Sequence, residues 1–135
     1  MAKQNGLGWT TASVDDAGGV VRAIKNDITD LDCATPRAVQ DVTGIDKSAI
    51  ERILLLADFS VTMNGVFNPT ANASHDVFKT VSSTSVARTV TLTVGGATLA
   101  NEVLYTDYQL KRGQDGSLVW SAPGVLADGT VPTWA

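Results

Sequence analysis

The residues that could carry acid-base or nucleophilic chemistry are few. His75 is the only histidine and Cys33 the only cysteine among 135 residues. A hydrolytic triad needs a base beside a nucleophile, but His75 stands next to Asp76 at the expected start of a helix, where a capping hydrogen bond is the expected role. No serine occupies a Gly-x-Ser-x-Gly turn. His75 and Cys33 match no zinc spacing, and Asp27, Asp30 and Asp32 lack the glycine and terminal glutamate of a calcium loop. Capping and solvation account for those aspartates. Gly18-Gly19 and Gly95-Gly96 precede no Lys-Ser/Thr pair and open no helix, so they read as hairpin turns rather than phosphate cradles. The tryptophans with Tyr105 and Tyr108 could stack on bases or sugars, yet only Lys111 and Arg112 lie near the tyrosines, which favours packing. The expectation is no catalytic residue, no metal, no cofactor and no enzyme.

The elements that would position any site read mostly as strands. From Asp58 to Asn68, Phe59, Val61, Met63, Gly65 and Phe67 alternate with Asp58, Ser60, Thr62 and Asn64, the period of a strand with one buried face. Asn68-Pro69 ends it, because proline brings no amide hydrogen to the ladder. Arg88 to Val94 repeats the pattern, with Val90, Leu92 and Val94 opposed to Thr89, Thr91 and Thr93. Glu102 to Lys111 places Leu104, Tyr108 and Leu110 on one face, and Gly113 to Gly116 turns the chain into Ser117 to Ala122, with Leu118, Trp120 and Ala122 inward. Ala12 to Ile24 reads as a hairpin about Gly18-Gly19. Asn26 to Leu31 suggests a capped turn, Asp32 to Pro36 a loop, and Arg37 to Val42 an extended segment.

Two stretches carry a helical period. Ala73, Val77, Phe78 and Val81 predict one short helix starting near Asn72 or Ser74 and ending by Ser82. Between Asp46 and Ala57 a helix and a strand both fit; a buried strand from Glu51 onward, leading into Asp58, is the expectation.

Length allows one domain. The division is an N-terminal arm, residues 1–11, anchored by Trp9, and a single domain, residues 12–135, whose tail carries Trp134. The fold class is mainly β: a β-sandwich or partial barrel with one short α-helix. A net charge of -4 and scattered cations argue against a protein that grips nucleic acid through phosphates. Charged residues make up only 18%, so part of the surface is expected to be covered by copies of the chain. The single cysteine forbids an intrachain disulfide. The opening residues have no apolar core of a signal peptide and no run is long enough to cross a bilayer, so Asn72-Ala73-Ser74 is discounted as a glycosylation acceptor. The expectation is synthesis in the cytoplasm and no membrane insertion.

Three places together resemble the major tail tube proteins of long-tailed bacteriophages. They are Asp41-Val42-Thr43-Gly44 followed by Glu51-Arg52 and Leu54-Leu55-Leu56; the strand ending Gly65-Val66-Phe67-Asn68; and His75-Asp76-Val77-Phe78 with Arg88-Thr89-Val90-Thr91-Leu92. The resemblance extends loosely from Asn26 to Trp134. It implies a hexameric ring whose inner strands form one β-barrel across subunits, with rings stacked into a tube in the virion tail. It further implies partners in the tape measure, terminator and distal tail proteins, and double-stranded DNA that passes through the lumen without specific binding. Closing a barrel between subunits would also remove the exposed strand edges that threaten a lone sheet.

Under that resemblance Asp58, Ser60, Thr62, Asn64, Thr89, Thr91 and Thr93 form a candidate lumen face, with Asp107 adding repulsion; the same residues serve equally as the solvated face of an ordinary sandwich. Trp9, Asp41, Asp46 and Trp134 are candidate contacts between subunits or rings, with the loop from Cys33 to Asp46 between them. A tail terminator, the tube of a contractile or secretion device, and an immunoglobulin-like binding module stay open as rival readings.

Overall fold

In a computed structural model, residues 3–135 are described. Met1 and Ala2 of the expected arm lie outside them. The arm is also shorter than its sequence suggests. Gly6–Gly8 form a 3₁₀ turn capped by the Asn5 side chain, and Trp9 to Thr11 already belong to strand β1 (Trp9–Asp15).

β1 turns into β2 (Val21–Ala23) as expected. Asp16 accepts the amides of Gly18 and Val20, and Gly19 takes the positive φ of 81° that its missing side chain permits. A 3₁₀ turn (Lys25–Asp27) then leads straight into β3 (Ile28–Ala34), so the expected loop at Asp32 is strand up to Ala34. The remaining strands of the main sheet are β6 (Ser60–Val66), β7 (Arg88–Val94), β8 (Ala97–Tyr105), β9 (Gln109–Arg112) and β10 (Leu118–Leu126). Their antiparallel order is β2-β1-β7-β8-β10-β6-β3, with β9 added along β10. β2 and β3 are opposite edges of this sheet, yet one turn joins them. The sheet must therefore curl until its edges approach, giving a partial barrel with a seam between β1 and β3.

The inside of the curl is the core. β6 contributes Val61 and Met63, β7 Val90 and Leu92, and β10 Trp120 and Ala122, each nearly or wholly buried, so the alternation read from the sequence is the in-out alternation of the sheet. Two faces come out differently. β8 begins at Ala97 and turns Leu99, Val103 and Tyr105 inward, leaving Leu104 exposed; Leu110 and Leu118 are exposed as well. In β8 the period holds with the opposite phase, because the strand starts earlier than its charged residues suggest, whereas Leu110 and Leu118 keep the face of Trp120 but lie at the sheet's margin.

The helix α1 (Ser74–Phe78) is shorter than its apolar spacing suggests, and Ala73 is its N-cap, with no side-chain cap of its own. It plugs one end of the curl with Val77 and Phe78. The Phe78 ring lies 4.9 Å from Tyr105 and 5.2 Å from Trp120, centroid to centroid, burying the aromatic cluster that could have been a stacking platform.

β4 (Arg37–Asp41) and β5 (Arg52–Ala57) pair only with each other. The strand expected from Glu51 is present, but it is exposed rather than buried. β4 continues β3 and β5 leads into β6, with Pro36 accepting the Asp58 amide at 2.9 Å where the ribbon leaves the body.

Candidate functional site

His75 Nδ1 lies 3.1 Å from the Tyr108 hydroxyl, and its ring packs against Phe67 at 4.8 Å. This pair ties α1 to the segment before β9, in place of the expected capping bond. Burial pushes the Tyr108 hydroxyl above its usual range. Cys33, on β3, faces the core edge; burial first and the neighbouring Asp32 second raise its thiol, which weakens it as a nucleophile. Among the described residues no three His, Cys, Asp or Glu side chains converge on a point that could hold a metal ion.

The expected lumen residues fall into two sets. Ser60, Thr62 and Asn64 point outward from β6, in register with Val125, Pro123 and Ser121 of β10 and with Ala34, Asp32 and Asp30 of β3. Thr89, Thr91 and Thr93 point outward from β7, where Thr89 donates to Glu102 and Thr93 meets the Thr98 hydroxyl at 3.1 Å. β8 and β10 stand between the two sets. Asp58 precedes β6 at the root of the ribbon and accepts the Phe59 amide at 2.8 Å. Asp30 and Asp32, for which the sequence suggests capping and solvation, join the first set, and their alternation with Leu31 and Cys33 is the signal that they share a strand face.

The expected contact residues also separate. Asp41 lies at the ribbon's far end, where the Thr43 hydroxyl and then the Thr43 amide hold its carboxyl below the usual range, and Asp46 lies in the loop beyond it. Trp9 lines the seam in a groove of about 420 Å³ with Lys25, Ile28 and Leu31, its indole N–H buried without a partner. Trp134 stays 42% exposed. Its neighbour Ala135 exchanges two backbone hydrogen bonds with Thr98 at 2.9 and 3.0 Å. Trp9 is level with Val94, and Val94 with Ala97, so both tryptophan segments meet the β7–β8 hairpin end.

The largest departure from an ordinary surface is the ribbon. Leu54 and Leu56, with Val39 opposite Leu54, occupy one face, and Ile53 and Leu55 occupy the other. All are exposed, Leu56 to 86%, and Ile45 in the loop between the strands is fully exposed. An isolated two-stranded ribbon is marginal in water, and apolar side chains on both of its faces add an uncovered surface that soluble monomers avoid. The run Ile53 to Leu56, apolar without alternation, was the sequence signal for a strand covered on two sides.

No family model matches the chain, and no curated protein matches its sequence. Among the solved structures that share the fold are two chains of gene transfer agent particles. A chain from the virion of a native gene transfer agent particle superposes with a TM-score of 0.75 at 13% identity, over 98% of this chain and 99% of that one. A chain from the tail of an empty gene transfer agent particle, determined by helical refinement with C6 symmetry, superposes with a TM-score of 0.73 at 15% identity, again over 98% and 99%. At these identities the likeness is one of fold, and it extends over nearly the whole chain.

Proposed function

We propose that this chain is a structural protein of a phage-type virion tail, polymerising as stacked hexameric rings into the tail tube through which DNA is ejected. The observation that carries this reading is the β4–β5 ribbon, apolar on both faces and uncovered by its own chain. A surface of that kind is stable when other copies bury it. The fold shared with chains of a tail of six-fold symmetry supports the same reading, as do the resemblances read from the sequence.

The role is one of shape rather than turnover. The wall facing DNA is the outer face of β6 and β3, where Ser60, Thr62 and Asn64 alternate in register with Asp30 and Asp32. Short hydroxyl and amide groups give phosphates no cation to hold, and the aspartates repel them, so a duplex slides past. Tape measure, terminator and distal tail proteins are the partners at the inside and the two ends of such a tube.

Negative-stain electron microscopy of the purified protein tests this. Hollow tubes with six-fold end views are expected. A protein that stays a single copy at high concentration overturns the reading.

A further inference from the structure

Asn101 is the polar exception on the inner face of β8. It stands between Leu99 and Val103 in the in-out alternation and is only 6% exposed, and its side-chain Nδ2 is buried without a hydrogen-bond partner. A buried donor left unpaired is costly, so its presence in a native fold points to something that binds beside it. Asn101 lines a cleft of about 140 Å³ together with Thr89, Ala100, Glu102, Asp128 and Thr130. The cleft lies where β10 parts from β8, beyond the Leu126–Val103 pair, and the C-terminal tail continues along β8 in its place. Ala127 donates to the Glu102 carbonyl there at 3.0 Å. The Thr89 hydroxyl donates to one oxygen of the Glu102 carboxylate and the Thr130 amide to one oxygen of Asp128, which leaves a second oxygen on each. No lysine, arginine or histidine lines the cleft, and among the described residues neither carboxylate enters an ion pair.

We propose that this cleft binds a calcium ion, with Glu102 and Asp128 as its charged ligands and the Thr89 and Thr130 hydroxyls joining directly or through water. Among the described residues the Asn101 amide has no hydrogen-bond partner, so a half-turn of it breaks no bond and presents its carbonyl oxygen to the ion in place of Nδ2. Two carboxylates with neutral oxygens suit a hard cation that keeps part of its water, and the cleft has room for several waters. Zinc prefers the thiolate and imidazole ligands that are missing from the lining. Magnesium demands a near-ideal octahedron, whereas calcium accepts an irregular shell, which is what a strand pair and a tail outside the sheet provide. The ion ties Asp128 and Thr130 of the tail to Thr89 of β7 and Glu102 of β8, and so fastens the tail along the strand it covers. No spacing in the sequence announces the site, because tail and strands meet only in the fold.

Isothermal titration calorimetry of the full chain with calcium chloride and with magnesium chloride tests this, alongside thermal melting at rising calcium. One calcium per chain is expected, with a dissociation constant on the order of 10⁻⁴ to 10⁻³ M for so few charged ligands, and with magnesium weaker by about tenfold. The melting temperature is expected to rise with calcium, since the ion binds only the folded cleft. Glu102→Gln and Asp128→Asn keep the shape of each side chain and remove its charge, and each is expected to weaken calcium by about tenfold. Circular dichroism establishes that the variants are folded; Asp128 lies outside every strand, so its variant carries the test even if Glu102→Gln does not fold. Asn101→Asp adds a third carboxylate. It is expected to melt below wild type without calcium, because a charge is buried beside Glu102, and to recover when calcium is added. No binding heat in wild type, or equal calcium affinity in wild type and the folded charge-removing variants, overturns the site and leaves the cleft to water alone. An Asn101→Asp variant that calcium does not rescue overturns the place given to Asn101.

Discussion

The Asp27 carboxylate accepts the backbone amide of Ser74 at 3.0 Å, so the cap that α1 lacks from its own sequence arrives from the turn between β2 and β3. The second carboxylate oxygen accepts the Asn68 side-chain amide at 2.8 Å. One buried side chain thus pins the seam of the curled sheet, the end of β6 and the helix that plugs the core. Asp27→Ala removes both acceptors and leaves buried donors unpaired, so a loss of about 2 kcal/mol is expected. Asp27→Asn, which keeps one acceptor, is expected to lose less. Urea denaturation of the two variants measures both.

Gly65 lies against the same turn. A Cβ there would fall inside the Asp27 carbonyl oxygen and 2.9 Å from Trp120 Nε1, which donates to the Val66 carbonyl. The obstacle is backbone, which cannot rotate away. Gly65→Ala is expected to destabilise by about 3 kcal/mol, or to give no folded protein, as read by yield and thermal melting.

Arg88 is fully buried and donates to the carbonyls of Asp15 and Val77 and to the Thr80 hydroxyl at 2.9 to 3.1 Å. Burial lowers its affinity for the proton, and it fastens the end of β1 to the chain at and after α1. Arg88→Ala strands those acceptors and is expected to lose about 3 kcal/mol; Arg88→Lys, with one point charge instead of a planar fork, is expected to fall between. Chemical denaturation checks the order.

Four aspartates, three in turns and one in α1, are held below the ordinary carboxylate value: Asp16 chiefly by the Val20 amide, Asp41 by the Thr43 hydroxyl, Asp76 by Lys79 and Asp115 by the Ser117 amide. A depressed folded-state value means stability that is fully present above the unfolded value of about 3.9 and is lost as pH falls through the folded values. The urea midpoint is therefore expected to be flat from neutral pH down to about 5 and to drop below about 4. Asp16→Asn is expected to flatten part of that drop.

The C-terminal tail closes the free edge of β8, with Ala127 donating to Glu102 and Ala135 bonded to Thr98 in both directions. Truncation after Ala127 uncovers Thr98 and its neighbours as an unpaired edge. Faster irregular aggregation, seen as static light scattering without ordered tubes, is the expected result. Unchanged scattering would show that the tail does not protect that edge.

Alternation alone located the cores of β6 and β7 and their inward residues, because a period of two fixes which side chains share a face wherever a strand's phase is unambiguous. The paired glycines marked the hairpin at Gly18-Gly19, and a helical period marked the short helix. What the chain could not disclose locally was anything set by a distant partner. The phase of β8 depended on pairing with β7, which starts it at Ala97 and sends Leu104 outward. The cap of α1 came from Asp27, and the burial of Arg88 required three acceptors from two distant segments. The run Ile53 to Leu56 identified a strand wanting cover on both sides. Only the tertiary structure showed that its own chain does not supply that cover, since a ribbon rooted at Pro36 and Asp58 projects away from the core its composition suggests it should join.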